Sequence, residues 1–593
     1  MKTNYLAQRR GDFVHWAMFI RRLCINKDGK SHFYFALVKS YRTARGPRQH
    51  VVAYLGDVKE AARLGFQQAL QSHPPHQAAL FDEVAPDWVE INVKGVKPER
   101  LRRFGDVWLA LELLKKLKLD GFFREALASP RPQIPWGDLA SILVIARFCE
   151  PKSELHIAEH FYSATALPDL LGIPAHEIYV NRLYRALDKV LVHKDALQRY
   201  LKERWGELFA IEYDIILYDI TSTYFEGQAA KNPQAAYGYS RDHRRDCKQV
   251  LIALIVTKEG IPLGYEVFAG NRHDSTTVAT IIQKIEALYG KADRVWIMDR
   301  GMVSIETLEL LRQDGRRYII GTPKSLLKKF EKELRSDGWQ MVHDGLEVKR
   351  CTPHERKASD AIILCRSLAR RNKEIAMRER FTKRIEAGLR QMGKNCESGR
   401  LKNAKVAERR LGRLLGDNRR AAKLFQIDVK EHGGTLHLTW SKHEQKLAWA
   451  NLSEGCYALR SNVSDWTPQQ LWQAYIQLTD AEKAFRIHKD DLKLRPVWHQ
   501  IDKRVNAHIF VCFLAYVLWK CFGQMCKHAG LGDEPRKIIQ EIKKLHLVDI
   551  VLPTRNGIEL RLRCVTTPDP DTALLLQKLN LKPPSRLDVN LDL

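Results

Sequence analysis

Residues 211–325 carry a succession of apolar runs that constrains the fold more than any other part of the chain. DIILYDI, CKQVLIALIV, IPLGYEVFAG and RVWIMD follow one another, separated by turns or polar stretches. Each reads as a strand, and TKEGIP between the second and third reads as a hairpin turn. SIETLELLRQDG then predicts a helix, with Ser304 as its cap, Glu306 in its first turn and Gly315 as its stop. RYIIGTP predicts a fifth strand. Three consecutive strands, a further strand, a helix and another strand imply an α/β core built on a mixed sheet.

Two of these runs end in an aspartate. Side chains alternate along a strand, so Ile215, Leu217 and Asp219 share one side of theirs, and Val295, Ile297 and Asp299 share one side of the other. Each aspartate is therefore expected near the exit of a buried strand, where open α/β sheets place ligands. A third acid comes from YIQLTDAEKAFRIHK, in which Tyr475, Glu482 and Lys489 recur every seven residues and so share one helical face. Carboxylates brought together repel unless a cation lies among them. Hard oxygen ligands without Cys or His favour Mg²⁺ (or Mn²⁺), and two such ions about 4 Å apart clamp both sides of an in-line phosphoryl displacement. Asp219, Asp299 and Glu482 are the expected catalytic and metal-binding residues. Tyr475, Lys489 and Arg486 are placed to hold a phosphate. Taken singly, an aspartate at a strand end is most often a turn residue, and a Tyr/Glu/Lys stripe is most often a surface pattern.

The rest of the 593-residue chain divides by pattern. Residues 1–95 read as a small β-rich subdomain, ending in a linker around Pro74 and Pro75. Residues 96–210 turn helical, and DLLGIPAHEIYVNRLYRALDKV permits a helix-turn-helix with Arg182 and Arg185 as DNA contacts. The core is expected over 211–325 and 456–525, interrupted by a basic insertion over 326–455; residues 526–593 are left as a C-terminal tail region. The net charge of +27 favours a polyanionic partner. From Arg366 to Lys423 there are nineteen Lys/Arg against six Asp/Glu, so a tenth of the chain holds nearly half the excess. The eleven cysteines form no Cys-x-x-Cys pair, which fits a reducing cytoplasm. Ala507–Phe522 is apolar but too short to span a bilayer and reads as a buried core helix, so no membrane is expected.

At these residues the chain resembles the DDE transposases of bacterial insertion sequences, specifically the IS-four-like group with a Tyr-Arg-Glu-Lys motif. Tyr475, Glu482 and Lys489 match that motif in type and spacing, whereas Leu478 stands at the arginine position. YDITSTYFEG resembles the segment of the first catalytic Asp, WIMDRGMVS that of the second, and HKDDLKLRPVWH the segment after the catalytic helix. The resemblance covers residues 211–325 and 450–525 well. It implies an RNase H-like core interrupted by an insertion domain, Mg²⁺ dependence, binding of double-stranded DNA at terminal inverted repeats, and cut-and-paste movement by a homodimer assembled on DNA. Thr221, Ser222 and Thr223 beside Asp219, with His273 and Asp274, are further residues that could serve such a site. The alternatives are a transposase-derived DNA-binding protein that has lost its chemistry and an RNase H-like nuclease.

Overall fold

The computed structural model describes residues 18–27, 30–43, 46–56, 90–130, 133–291, 293–302, 304–351, 360–432, 435–532, 534–555 and 557–588. The linker expected around Pro74 and Pro75 lies outside them. Strands β1 (Met18–Lys27), β2 (Lys30–Thr43) and β3 (Gly46–Gly56) form an antiparallel three-stranded sheet. β4 (Lys97–Arg103) opens the helical region that follows.

The central element is a mixed sheet of nine strands. β5 (Ile215–Tyr224) lies antiparallel to β6 (Gln249–Thr257), which lies antiparallel to β7 (Pro262–Ala269). On the other side of β5, β8 (Val295–Met298) and then β9 (Arg317–Gly321) run parallel to it. The apolar runs are continuous because this sheet is covered on both faces. Ile216, Tyr218, Trp296, Met298 and Ile320 pack against the helices Val278–Tyr289 and Ile305–Gln313. Leu217, Ile252, Leu254 and Ile297 face the larger core around the helix Asp502–His528. That helix is long and apolar enough to cross a membrane, with a mean hydropathy of 1.7, but 89% of its most apolar window is buried inside the protein. The helix Val278–Tyr289 was not anticipated, although Val278, Ile281, Ile282 and Ile285 are its buried residues and carry a helical period.

The sheet continues further than the sequence reading allowed. β10 (Gln340–His343), β11 (Leu346–Cys351) and β12 (Ala361–Ser367) extend it, and β15 (Cys456–Ser461) joins β12 to β9. An insertion beginning at residue 326 therefore starts too early, because Gln340–His343, Leu346–Cys351 and Ala361–Ser367 belong to the sheet. The excursion proper comprises the 30-residue helix Leu368–Glu397, the helix Ala404–Asp417, the hairpin of β13 (Phe425–His432) and β14 (Thr435–Lys442), and the helix Glu444–Ser453. Its two ends are tied where the Ser367 amide donates to the Gly455 carbonyl at 3.0 Å.

Two further expectations need correction. Residues 526–593 are not merely a tail: β16 (His546–Pro553), β17 (Glu559–Val565) and β18 (Arg586–Leu587) build a four-stranded sheet with β4. In the presumed helix-turn-helix, the first helix has only five residues, Leu167–Leu171. The second, Val180–Val190, buries Leu183, Ala186, Leu187 and Val190 in the core shared with the long helix Asp502–His528.

Candidate active site

Asp219 sits within β5 rather than at its end, since β5 pairs with β6 as far as Tyr224. The neighbouring parallel strand stops sooner: Tyr218 pairs with Met298, the last residue of β8, and Asp299 is the next residue. Parallel register thus sets Asp219 and Asp299 side by side where β8 gives out. The third carboxylate arrives on a helical segment held together by one intervening residue, Gln477, between the helices Pro468–Ile476 and Leu478–Arg486. The first of these begins with a capping box, in which the Gln470 amide donates to Thr467 and the Thr467 amide donates back to Gln470.

Electrostatics link the three acids. Burial, with the negative charges of Asp299 and Glu482, pushes Asp219 up to about 7, against the opposing effects of the Ile220 amide and Arg241. The Ile220 N–H donates to Asp219 Oδ1 at 2.7 Å. Glu482 is raised by desolvation of its carboxyl and by the charge of Asp299. Tyr475 approaches Asp299, its hydroxyl donating to Oδ1 across a long 3.5 Å, and burial raises that phenol. Gly321 at the end of β9 leaves the space, since a Cβ there would overlap the Tyr475 hydroxyl. Three neighbouring carboxylates, with Asp219 and Glu482 raised in affinity for protons, are an arrangement that a hard divalent cation relieves. The donor set suits Mg²⁺ or Mn²⁺.

The other residues fall on several surfaces. Lys489 is nearly buried, and its ammonium lies 2.8 Å from Asp242 Oδ1. Arg495 shares that same oxygen. Arg486 is exposed and lines a pocket with Asp480, Asp491 and Tyr516. Arg182 is occupied internally: it donates to Glu177 at 2.7 Å and to Gln133 at 2.6 Å, and lies over the Tyr179 ring. Its donors serve the local fold, which counts against the expected DNA contact. Arg185 is exposed on the same helix. Ser222 is buried and accepts from the Arg241 amide at 3.2 Å, while Asp274 holds the Arg241 guanidinium at 2.5 Å. Sequence reasoning missed Arg241, Asp242 and Arg495 altogether. Leu478 is 9% exposed and packs in the main core, so that position presents no cation to the site.

A second group of potential ligands lies elsewhere. Glu154, His499 and His508 bring one donor atom each within 4.8 Å of one another. Here the cation is built in, because Arg147 lies 3.4 Å from His508 Nδ1. Burial works to raise Glu154, yet the His499 hydrogen bond and the charges of His499, His508 and Arg147 hold it down to about 2.

Acidic side chains gathered from two adjacent parallel strands and a helix packed over the sheet mark the candidate site of a mixed α/β protein. Residues 211–518 match the family described as the Transposase DDE domain, and the chain belongs to that family. No curated protein matches it. Among solved structures, the piggyBac transposase synaptic complex with hairpin DNA is similar over 77% of this chain and 82% of that one, at 8% identity and a TM-score of 0.32. That likeness is too low to carry a structural argument.

Proposed function

We propose that this protein is an active transposase: it binds the terminal inverted repeats of its own element, cleaves the DNA there and joins the freed ends to a target. The observation that carries the reading is that three acids from distant segments of a transposase DDE domain lie near enough for the charge of Asp299 to reach both Asp219 and Glu482. In this reading the central sheet is an RNase H-like core and the basic excursion is its insertion domain. Those three residues hold Mg²⁺ or Mn²⁺, two ions in the complete site. The bound ions supply an activated water or 3′-hydroxyl and neutralise charge on the departing oxygen. Tyr475 orients Asp299 through its hydroxyl. Lys489 places positive charge for a phosphate. The working form is a homodimer assembled on double-stranded DNA, acting in the cytoplasm on the nucleoid.

The test is nicking, in Mg²⁺, of a supercoiled plasmid carrying the DNA that flanks the reading frame. Wild type is expected to nick it, while Asp219→Asn and Glu482→Gln bind without cutting. Identical behaviour of all three proteins would remove the enzyme reading. It would favour the second one, a transposase-derived DNA-binding protein, for which the burial of Leu478 at the motif's arginine position is the supporting observation.

A further inference from the structure

Asp242 does something that a loop aspartate has no local reason to do. It lies between β5 and β6 in SRDHRRD, a stretch whose charges read as a solvated turn. Yet its side chain is 4% exposed. One oxygen, Oδ1, receives both Lys489, at 2.8 Å, and Arg495. The other, Oδ2, is buried with no hydrogen-bond partner. A buried carboxylate with one oxygen doubly engaged and the other empty is a poor device for stability, since apolar side chains of similar volume usually serve as well. It is a good device for aiming cations.

The loop is fixed on the side of the carboxylate cluster. The Arg241 amide donates to Ser222, three residues beyond Asp219 on β5, and the Arg241 side chain is clasped by Asp274. His243, just past Asp242, holds a φ of 60°, a tight backbone that a non-glycine residue adopts only when its surroundings impose it. The charge of Arg241 bears on both Asp219 and Lys489. Lys489 and Arg495 converge on the one carboxylate of Asp242, so two cationic heads are held side by side. Arg495 also keeps a second donor engaged with Asp490 at 3.1 Å, which fixes the plane of its guanidinium. A lysine restrained by a buried acid has already lost most of the rotamer freedom that phosphate binding would otherwise have to remove.

We propose that Asp242 is a positioning residue that holds Lys489 and Arg495 as a two-pronged clamp on one DNA phosphodiester beside the carboxylate cluster. Arg495 supplies the guanidinium that Leu478 does not. This inference rests on the transposase reading, and it predicts an effect that a purely structural ion pair would not give. In Asp242→Asn the cations lose their aim but a repelling negative charge disappears. Nicking of the flanking-DNA plasmid should fall on the order of 100-fold, the scale of a misplaced catalytic group. Binding of a random-sequence duplex, followed by fluorescence anisotropy, should stay equal or tighten, and the melting temperature should hold. Arg495→Lys should nick nearly as poorly as Arg495→Ala, because a point charge cannot replace the fork.

Wild-type nicking by Asp242→Asn, or a loss of nicking accompanied by equal losses of duplex binding and melting temperature, overturns the clamp. Should wild type itself fail to nick, the transposase reading falls, and the clamp is then judged on binding alone. Lys489→Ala and Arg495→Ala should each flatten the salt dependence of duplex affinity by about one unit; unchanged slopes would overturn it.

Discussion

Two clusters in this molecule gather acidic and ligating side chains, and they differ in who balances the charge. At Glu154, His499 and His508 the positive charge comes from the protein itself, through Arg147, and Glu154 is held down to about 2. At the cluster of Asp219, Asp299 and Glu482, burial and then like charge raise Glu482 and push Asp219 up to about 7. A closed account of charge is what a scaffold needs. An excess of negative charge, maintained by three separate elements of the fold, marks a place where something cationic is to be received.

The sharpest way to break this contrast is through chemistry. Glu482→Gln keeps the shape and removes a charge, so nicking should fall by at least about 1,000-fold, consistent with several kcal/mol of lost transition-state stabilisation. Arg147→Met should leave the metal response of the other cluster alone, yet cost about 1–3 kcal/mol in chemical denaturation, because buried His508 loses a partner while Glu154 keeps only His499. A similar stability loss in both variants would erase the distinction.

The smallest effect, and the most specific, is in pH. Asp219 has a folded value of about 7, above its ordinary 3.8. Its stabilising contribution is complete below about pH 3.8 and is lost as pH rises through about 7. Glu154 is the mirror case: its contribution is complete above about 4.5 and is lost as pH falls through about 2. Thermal melts without divalent cations should therefore drop by a few degrees on the neutral side. Mg²⁺ should restore that loss, and Asp219→Asn should flatten it. Glu154→Gln should flatten only the acid limb. A neutral-side drop that survives in Asp219→Asn would show that the carboxylate cluster is not its source.

The strands around the site were legible because both faces of the sheet are buried, so apolar residues run without interruption through Ile215–Tyr218 of β5, Val250–Val256 of β6 and all of β8. Strand parity then placed Asp219 with Leu217 and Asp299 with Ile297 on the face toward the carboxylate helix. What escaped were features made by long-range pairing. β12 meets β15 through partners such as Ile362 and Arg460, and nothing in either segment names the other. β4 meets β16 across most of the chain, as between Lys97 and Val551. Asp242 escaped for the same reason: Lys489 and Arg495 lie 247 and 253 residues away. Its neighbours in sequence are mostly charged, so the local pattern described a surface turn while the fold made an interior one.

The hydrogen bond from Ser367 to Gly455 has a consequence for how such a chain can change over generations. Leaving and rejoining the sheet at a single closed point makes the basic arm a cassette. Lengthening it costs the fold little, because the loop-closure penalty grows only with the logarithm of length. Asp219 and Asp299 precede that seam in sequence and Glu482 follows it. Mutation can therefore remodel the arm's basic surface without moving an acid.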